Sequence, residues 1–125
     1  VKLVFKHFPL DFHIYAKKAA EASECAAEQG KFWEYHDILF KKQSEWSYAG
    51  ESKLKEYAEE LGLNISKFEE CLKSEKYKGK VENDYNQGIK LEVSGTPTFF
   101  INGVKIVGAQ PYSVFKQVID RELEK

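Results

Sequence analysis

The chain has 125 residues, 42% of them hydrophobic and 14% aromatic, which suits one domain with a core of its own. Nineteen Lys and Arg oppose twenty Asp and Glu, and the net charge of -1 leaves no basic patch of the kind that nucleic acid or an anionic membrane requires. No apolar run approaches the roughly 18 residues needed to span a bilayer, and no signal peptide is visible. The chain begins at Val1 and contains no Met, so a processed or excised chain is expected, and its own residues do not reveal a location.

Val1–Lys6 is short and rich in β-formers, with Val1, Leu3 and Phe5 on one face and Lys2 and Lys6 on the other, and predicts a strand ended by Pro9. Asp11 is a candidate N-cap for an Ala-rich helix from about 13 to 29, stopped by Gly30. Residues 31–42 repeat the helical period, with Phe32, Tyr35, Ile38, Leu39 and Phe40 available for burial. The stretch 43–50, carrying Trp46 and Tyr48, reads as a loop. A third helix is predicted over 51–61, ended by Gly62. Ser66 and Glu69 fit a capping box that opens a helix bearing Phe68, Cys71 and Leu72. A further helix is predicted over 75–91, interrupted near its end by Gly88.

The last third changes character. Thr98–Ile101 and Val104–Val107 are β-forming runs around Asn102-Gly103, the strongest short hairpin signal. Pro111 sits at the start of a closing helix to about Leu123, with Val114, Phe115, Val118 and Ile119 as its apolar stripe. The order is strand, helices, hairpin, helix, with no repeat or linker.

Four segments in this order carry a resemblance. They are Lys6-His7-Phe8-Pro9-Leu10, Ala20 to His36 (AEASECAAEQGKFWEYH), Ser94 to Gly103 (SGTPTFFING), and Val107 to Tyr112 (VGAQPY). Together they resemble the DsbA-like thiol:disulfide oxidoreductases of the thioredoxin superfamily. The resemblance implies an α/β thioredoxin-like fold in one domain, its thioredoxin part at about 1–15 and 91–125 and a helical insertion at about 16–90. It also implies a cis Thr96–Pro97 bond in a loop that offers backbone to an extended substrate, so Thr96 and Pro97 are the candidate substrate-binding residues. Cis bonds are about 5–6% of X–Pro bonds, so the sequence alone does not select cis.

One departure matters. In this family a first strand precedes everything seen here and ends in a CxxC at a helix N-terminus, where the first thiol becomes a stable thiolate. This chain has no such strand, motif or helix, so a fold truncated at the N-terminus is expected, with no catalytic residue of its own. Fold analogy places the missing strand between Val1–Lys6 and the hairpin. Neighbouring strands lie about 4.8 Å apart, so the gap leaves unpaired backbone and opens a route to self-association.

Cys25 and Cys71 have neither CxxC nor zinc-pair spacing, and neither lies at the strand-to-helix junction where redox chemistry is built. They read either as two buried thiols or, since some members of the resembled family carry cysteines at both places, as a structural disulfide worth about 4 kcal/mol in chain entropy. His7, His13 and His36 lack metal-ligand spacing, so no metal is expected. His7 reads as a loop residue and His36 as a packing residue. Trp33, Tyr35, Trp46 and Tyr48 read as core rather than as a peptide groove.

The expected function is part of a thiol:disulfide oxidoreductase that oxidises or shuffles protein cysteines, with no small-molecule cofactor. Its partners would be cysteine-containing protein substrates and a redox-recycling protein. The intact protein would work outside the cytoplasm: periplasmic, secreted, or anchored facing outward. Two alternatives stand beside it: a non-catalytic thioredoxin-fold binding module, and a glutathione-handling isomerase or transferase relative.

Overall fold

The computed structural model describes residues 1–125, with seven helices and one hairpin in a mixed α/β arrangement. They divide into two compact units, Val1–Asn86 and Gln87–Lys125. The first unit holds α1 (Ala16–Ala27), α2 (Phe32–Lys41), α3 (Gln43–Ala49), α4 (Glu51–Glu60) and α5 (Ile65–Lys73), with most of α6 (Lys78–Lys90). The second holds the end of α6, β1 (Thr98–Ile101), β2 (Val104–Val107) and α7 (Tyr112–Leu123).

The first unit is organised around the small face of α1. Ala19, Ala22, Cys25 and Ala26 bury completely or nearly so, which lets Tyr35 and Leu39, Leu54, Tyr57 and Ala58, and Phe68 and Leu72 approach closely. The buried Tyr35 hydroxyl donates to the Leu54 carbonyl at 2.8 Å, so the ring enters the core without stranding its polar end. Burial, with Tyr57 nearby, drives that phenol far above its ordinary ionisation range.

Several predicted boundaries move. α1 starts at Ala16 without a side-chain cap, and Asp11 instead faces Lys17 at 3.6 Å. The aromatic and β-branched residues 12–15 have weaker helix propensity than the alanines that follow, and they form turns. Residues 43–49 are helix rather than loop. Trp46 anchors α3 by donating its indole N–H to the Leu39 carbonyl at 2.7 Å, and Glu45 accepts from the Tyr57 hydroxyl at 3.0 Å. Gly50 ends α3 at φ 66°, and a Cβ there would stand 2.6 Å from the Tyr15 ring. The cap of α5 is Asn64, whose side chain accepts from the Lys67 N–H at 3.0 Å, so the helix opens ahead of the predicted Ser66 box. α6 begins three residues later than expected, after Glu75 turns the chain at φ 54°, and it continues through Gly88.

No strand forms at Val1–Lys6. The ladder in this chain is β1 with β2, so the segment has no neighbour to exchange backbone hydrogen bonds with, and Val1, Leu3 and Val4 are exposed. Alternation predicts the shape of a strand but cannot supply its partner. No helix is long and apolar enough to cross a membrane.

In the second unit β1 and β2 pair antiparallel with Thr98 opposite Val107 and Ile101 opposite Val104. Asn102 (φ 49°) and Gly103 (φ 87°) both take the left-handed turn conformation that this dipeptide favours. Pro111 caps α7 from just outside, and the Phe115 ring meets Phe99 edge-on at 4.7 Å. The stripe Val114, Phe115, Val118 and Ile119 is half-buried, and Ile106 is the one fully buried apolar residue of this unit.

Candidate functional site

The Ser94–Pro97 loop arises where a helix must give way to a strand within a few residues. Glu92 takes a left-handed φ of 61° after α6, and Gly95, Thr96 and Pro97 make the bend. The Thr96–Pro97 peptide bond is cis. Two contacts fix the loop on the hairpin. The Gly108 N–H donates to the Pro97 carbonyl at 2.8 Å, and the Thr98 hydroxyl donates to the Gly95 carbonyl at 2.7 Å. Lys105 reaches back to the Glu92 carbonyl at 2.7 Å. Thr96 and Pro97 are exposed at the head of β1, whose residues 98–101 alone enter the ladder. The result is a largely solvent-facing bend tied to the hairpin at both ends. The loop carries no cysteine or ionisable side chain between Ser94 and Pro97.

The two cysteines lie elsewhere, in the first unit. Cys25 of α1 and Cys71 of α5 are disulfide-bonded, with Cα atoms 5.9 Å apart, inside the ordinary range for such a bridge. Both are buried, and the chain holds no free thiol. Beside the bridge, Gln29 and Asn64 bond reciprocally: the Asn64 N–H donates to the Gln29 side-chain oxygen at 2.7 Å, and the Gln29 amide donates to the Asn64 carbonyl at 3.1 Å. These bonds join the end of α1 to the start of α5, while the disulfide joins α1 to the last turn of α5.

His7 is a loop residue, as its sequence position suggests, but a buried one. Its ring is buried, with Nε2 2.7 Å from Glu24 Oε2 of α1. The other Glu24 oxygen accepts from Lys80 of α6 at 3.0 Å. The His7 backbone N–H donates to Asp84 Oδ2 at 3.1 Å, and Lys6 stands 3.8 Å from Asp84 Oδ1. Burial opposes the charge on Glu24, but the hydrogen bonds from His7 and Lys80, with their charges, outweigh it and hold the carboxyl below its ordinary value. Three residues earlier, buried Glu21 shows the reverse. Its Oε1 has no hydrogen-bond partner, and desolvation keeps its carboxyl above the usual range, with Lys18 opposing and Glu75 adding. A Glu at helical spacing from a neighbouring Glu carries no sequence signal of burial, so both roles escape a reading of the chain alone. His36 lies in an aromatic cluster with Phe5, Phe32 and Trp33, and His13 contacts Phe12. No three His, Cys, Asp or Glu side chains converge as metal ligands.

A helical unit closed by a buried disulfide, and a hairpin unit headed by an exposed cis-proline loop, together define a mixed α/β domain with thioredoxin-like features. A family model described as thioredoxin matches residues 1–121, and the chain belongs to that family. It is 45% identical over 115 residues to the Na(+)/H(+) antiporter NhaA 3 of Salinispora tropica, a match covering 91% of this chain and 17% of that protein. It is 43% identical over 104 residues to the Na(+)/H(+) antiporter NhaA 1 of Salinispora arenicola, covering 82% of this chain and 16% of that one. The Na(+)/H(+) antiporter NhaA of Herminiimonas arsenicoxydans is 36% identical over 110 residues, covering 87% and 17%. The chain therefore spans no more than 17% of the length of these curated relatives. No solved structure matches it.

Proposed function

We propose that this chain is the body of a DsbA-like thiol:disulfide oxidoreductase domain, in which the Thr96–Pro97 loop binds an extended, cysteine-bearing polypeptide. The observation that carries this reading is the exposed Thr96–Pro97 loop, pinned to the hairpin by the Gly108 N–H on the Pro97 carbonyl, in a chain of the thioredoxin family. In such a reaction a substrate thiolate attacks a catalytic disulfide and forms a mixed disulfide. A second substrate thiol then releases the oxidised substrate and leaves the catalytic pair as a reduced dithiol. The two cysteines of this chain are already bonded to each other and buried, so the catalytic pair must come from a CxxC that this chain does not contain. A redox partner would reoxidise it, and the location would be extracytoplasmic. The open edge of β1 supports self-association of the chain when nothing else covers it.

The test is to express the whole gene product and follow oxidative refolding of reduced ribonuclease. Activity that vanishes on alkylating an upstream CxxC, and that falls at least tenfold when Pro97→Ala is introduced, supports the reading. A coding sequence without an upstream CxxC, or activity indifferent to Pro97, overturns it.

A second reading has its own observation. The relatives named as antiporters are far longer than the matched stretch, which favours a thioredoxin-fold module carried by a larger protein, and such a module without a CxxC would serve binding. Membrane-spanning segments without a CxxC in the same coding sequence would select it.

A further inference from the structure

Charge, not a β ladder, fastens the Lys6–Pro9 segment to the helical unit. His7 is buried against Glu24 of α1, its backbone N–H is held by Asp84 of α6, and Lys6 faces the same Asp84. Lys80, also of α6, shares Glu24 with His7. Around these charges the contacts are aromatic. Phe8 stacks on Tyr85 at 4.7 Å, and Phe5 meets the rings of His7, Phe32, Trp33 and His36. Glu24 therefore accepts from the His7 ring and the Lys80 ammonium at once, with both the His7 and Glu24 side chains buried.

We propose that His7 and Glu24 form an acid-released latch, which holds the Lys6–Pro9 segment on α1 and α6 at neutral pH and lets it go in acid while the helical core stays folded. Neutralising Glu24 leaves the His7 ring and the Lys80 ammonium facing an uncharged group, and charge-assisted hydrogen bonds are the strong ones. The carboxyl is held below its ordinary value of 4.5, so the latch is complete above about that pH and is lost as pH falls through the lower folded value. The core beneath it is built from apolar side chains and a disulfide, neither of which titrates there.

Trp33 reports the segment because Phe5 meets it edge-on at 6.4 Å, whereas Trp46 is bonded into the core side of α2. The protein labelled with 5-fluorotryptophan gives one ¹⁹F resonance for each, assigned with Trp33→Phe. Titrated from pH 7 to 3, the Trp33 resonance is expected to shift with a midpoint below about 4.5, while Trp46 and the far-ultraviolet helical signal hold. His7→Gln is expected to move that midpoint upward, since Glu24 loses the ring hydrogen bond that helps to hold its carboxyl low. Glu24→Gln is expected to place the Trp33 resonance at its acid position already at pH 7. The acid shift should persist with His36→Gln, because His36 also lies against Trp33 at 5.2 Å. Trp33, Trp46 and helicity moving together would overturn the latch, as would a midpoint indifferent to His7→Gln. If Glu24→Gln does not fold, the titration of the unsubstituted protein still decides between local release and global unfolding.

Discussion

The helical unit and the hairpin unit bury their apolar residues to very different degrees. Val1–Asn86 has an enclosed core, with Leu54, Tyr57 and Phe68 wholly inside, although Phe12, Ile14, Phe40 and Tyr48 are exposed. In Gln87–Lys125 the sequence is no less apolar over Thr98–Val107, yet Phe100, Val104 and Val107 are exposed and Ile106 alone is fully buried. Apolar composition is thus not what separates them. Helices carry their own backbone hydrogen bonds and need only faces to pack, whereas a two-stranded sheet needs further strands or helices before it has an inside. The hairpin holds its shape through its turn and its loop contacts, and its apolar faces remain available.

That contrast can be tested by mutation. The largest expected effect is at Phe68: Phe68→Ala should cost about 3–5 kcal/mol in chemical denaturation, because a large, fully enclosed ring is removed. Replacing Cys25 and Cys71 together by Ala should cost about 2–4 kcal/mol, and hydrogen exchange should show the loss in α1 and α5 rather than in the hairpin. Equal loss of protection in β1 and β2 would mean that the two units unfold as one. A smaller effect of opposite sign is expected at Glu21. Its carboxyl is held above the ordinary value, so its ionised form disfavours folding, and stability should rise as pH falls from neutrality towards about 4.5. Glu21→Gln should therefore add about 1 kcal/mol at pH 7 and flatten the profile in that window. Smallest of all, Phe100→Ala should change stability by no more than about 0.5 kcal/mol, since its ring already meets water. A loss above about 2 kcal/mol there would show that the hairpin is covered in solution.

Much of this architecture was legible in the chain. The Asn102-Gly103 turn, the helix ends at Gly30 and Gly62, and the apolar stripe of α7 follow from local chemistry that acts over a few residues. The cis-proline loop and the cysteine pairing were legible only through the resemblance of longer segments. Tertiary partners decided what local pattern could not. Trp46 makes a helix of a stretch that reads as a loop because its indole finds the Leu39 carbonyl. Val1–Lys6 has the alternation of a strand and no strand to pair with. His7 becomes a buried ion-pair partner because Glu24, Lys80 and Asp84 arrive from two helices distant in sequence.

The Gln29–Asn64 clasp bears on how the disulfide is made. Its two hydrogen bonds set the end of α1 against the start of α5 without help from sulfur. In a reduced molecule, Cys25 and Cys71 would therefore meet as neighbours on two docked helices, not as ends of a wandering loop. Tethering of that kind raises the effective concentration of one thiol about the other, so oxidation becomes an intramolecular step that needs an electron acceptor but no guide to the correct pairing.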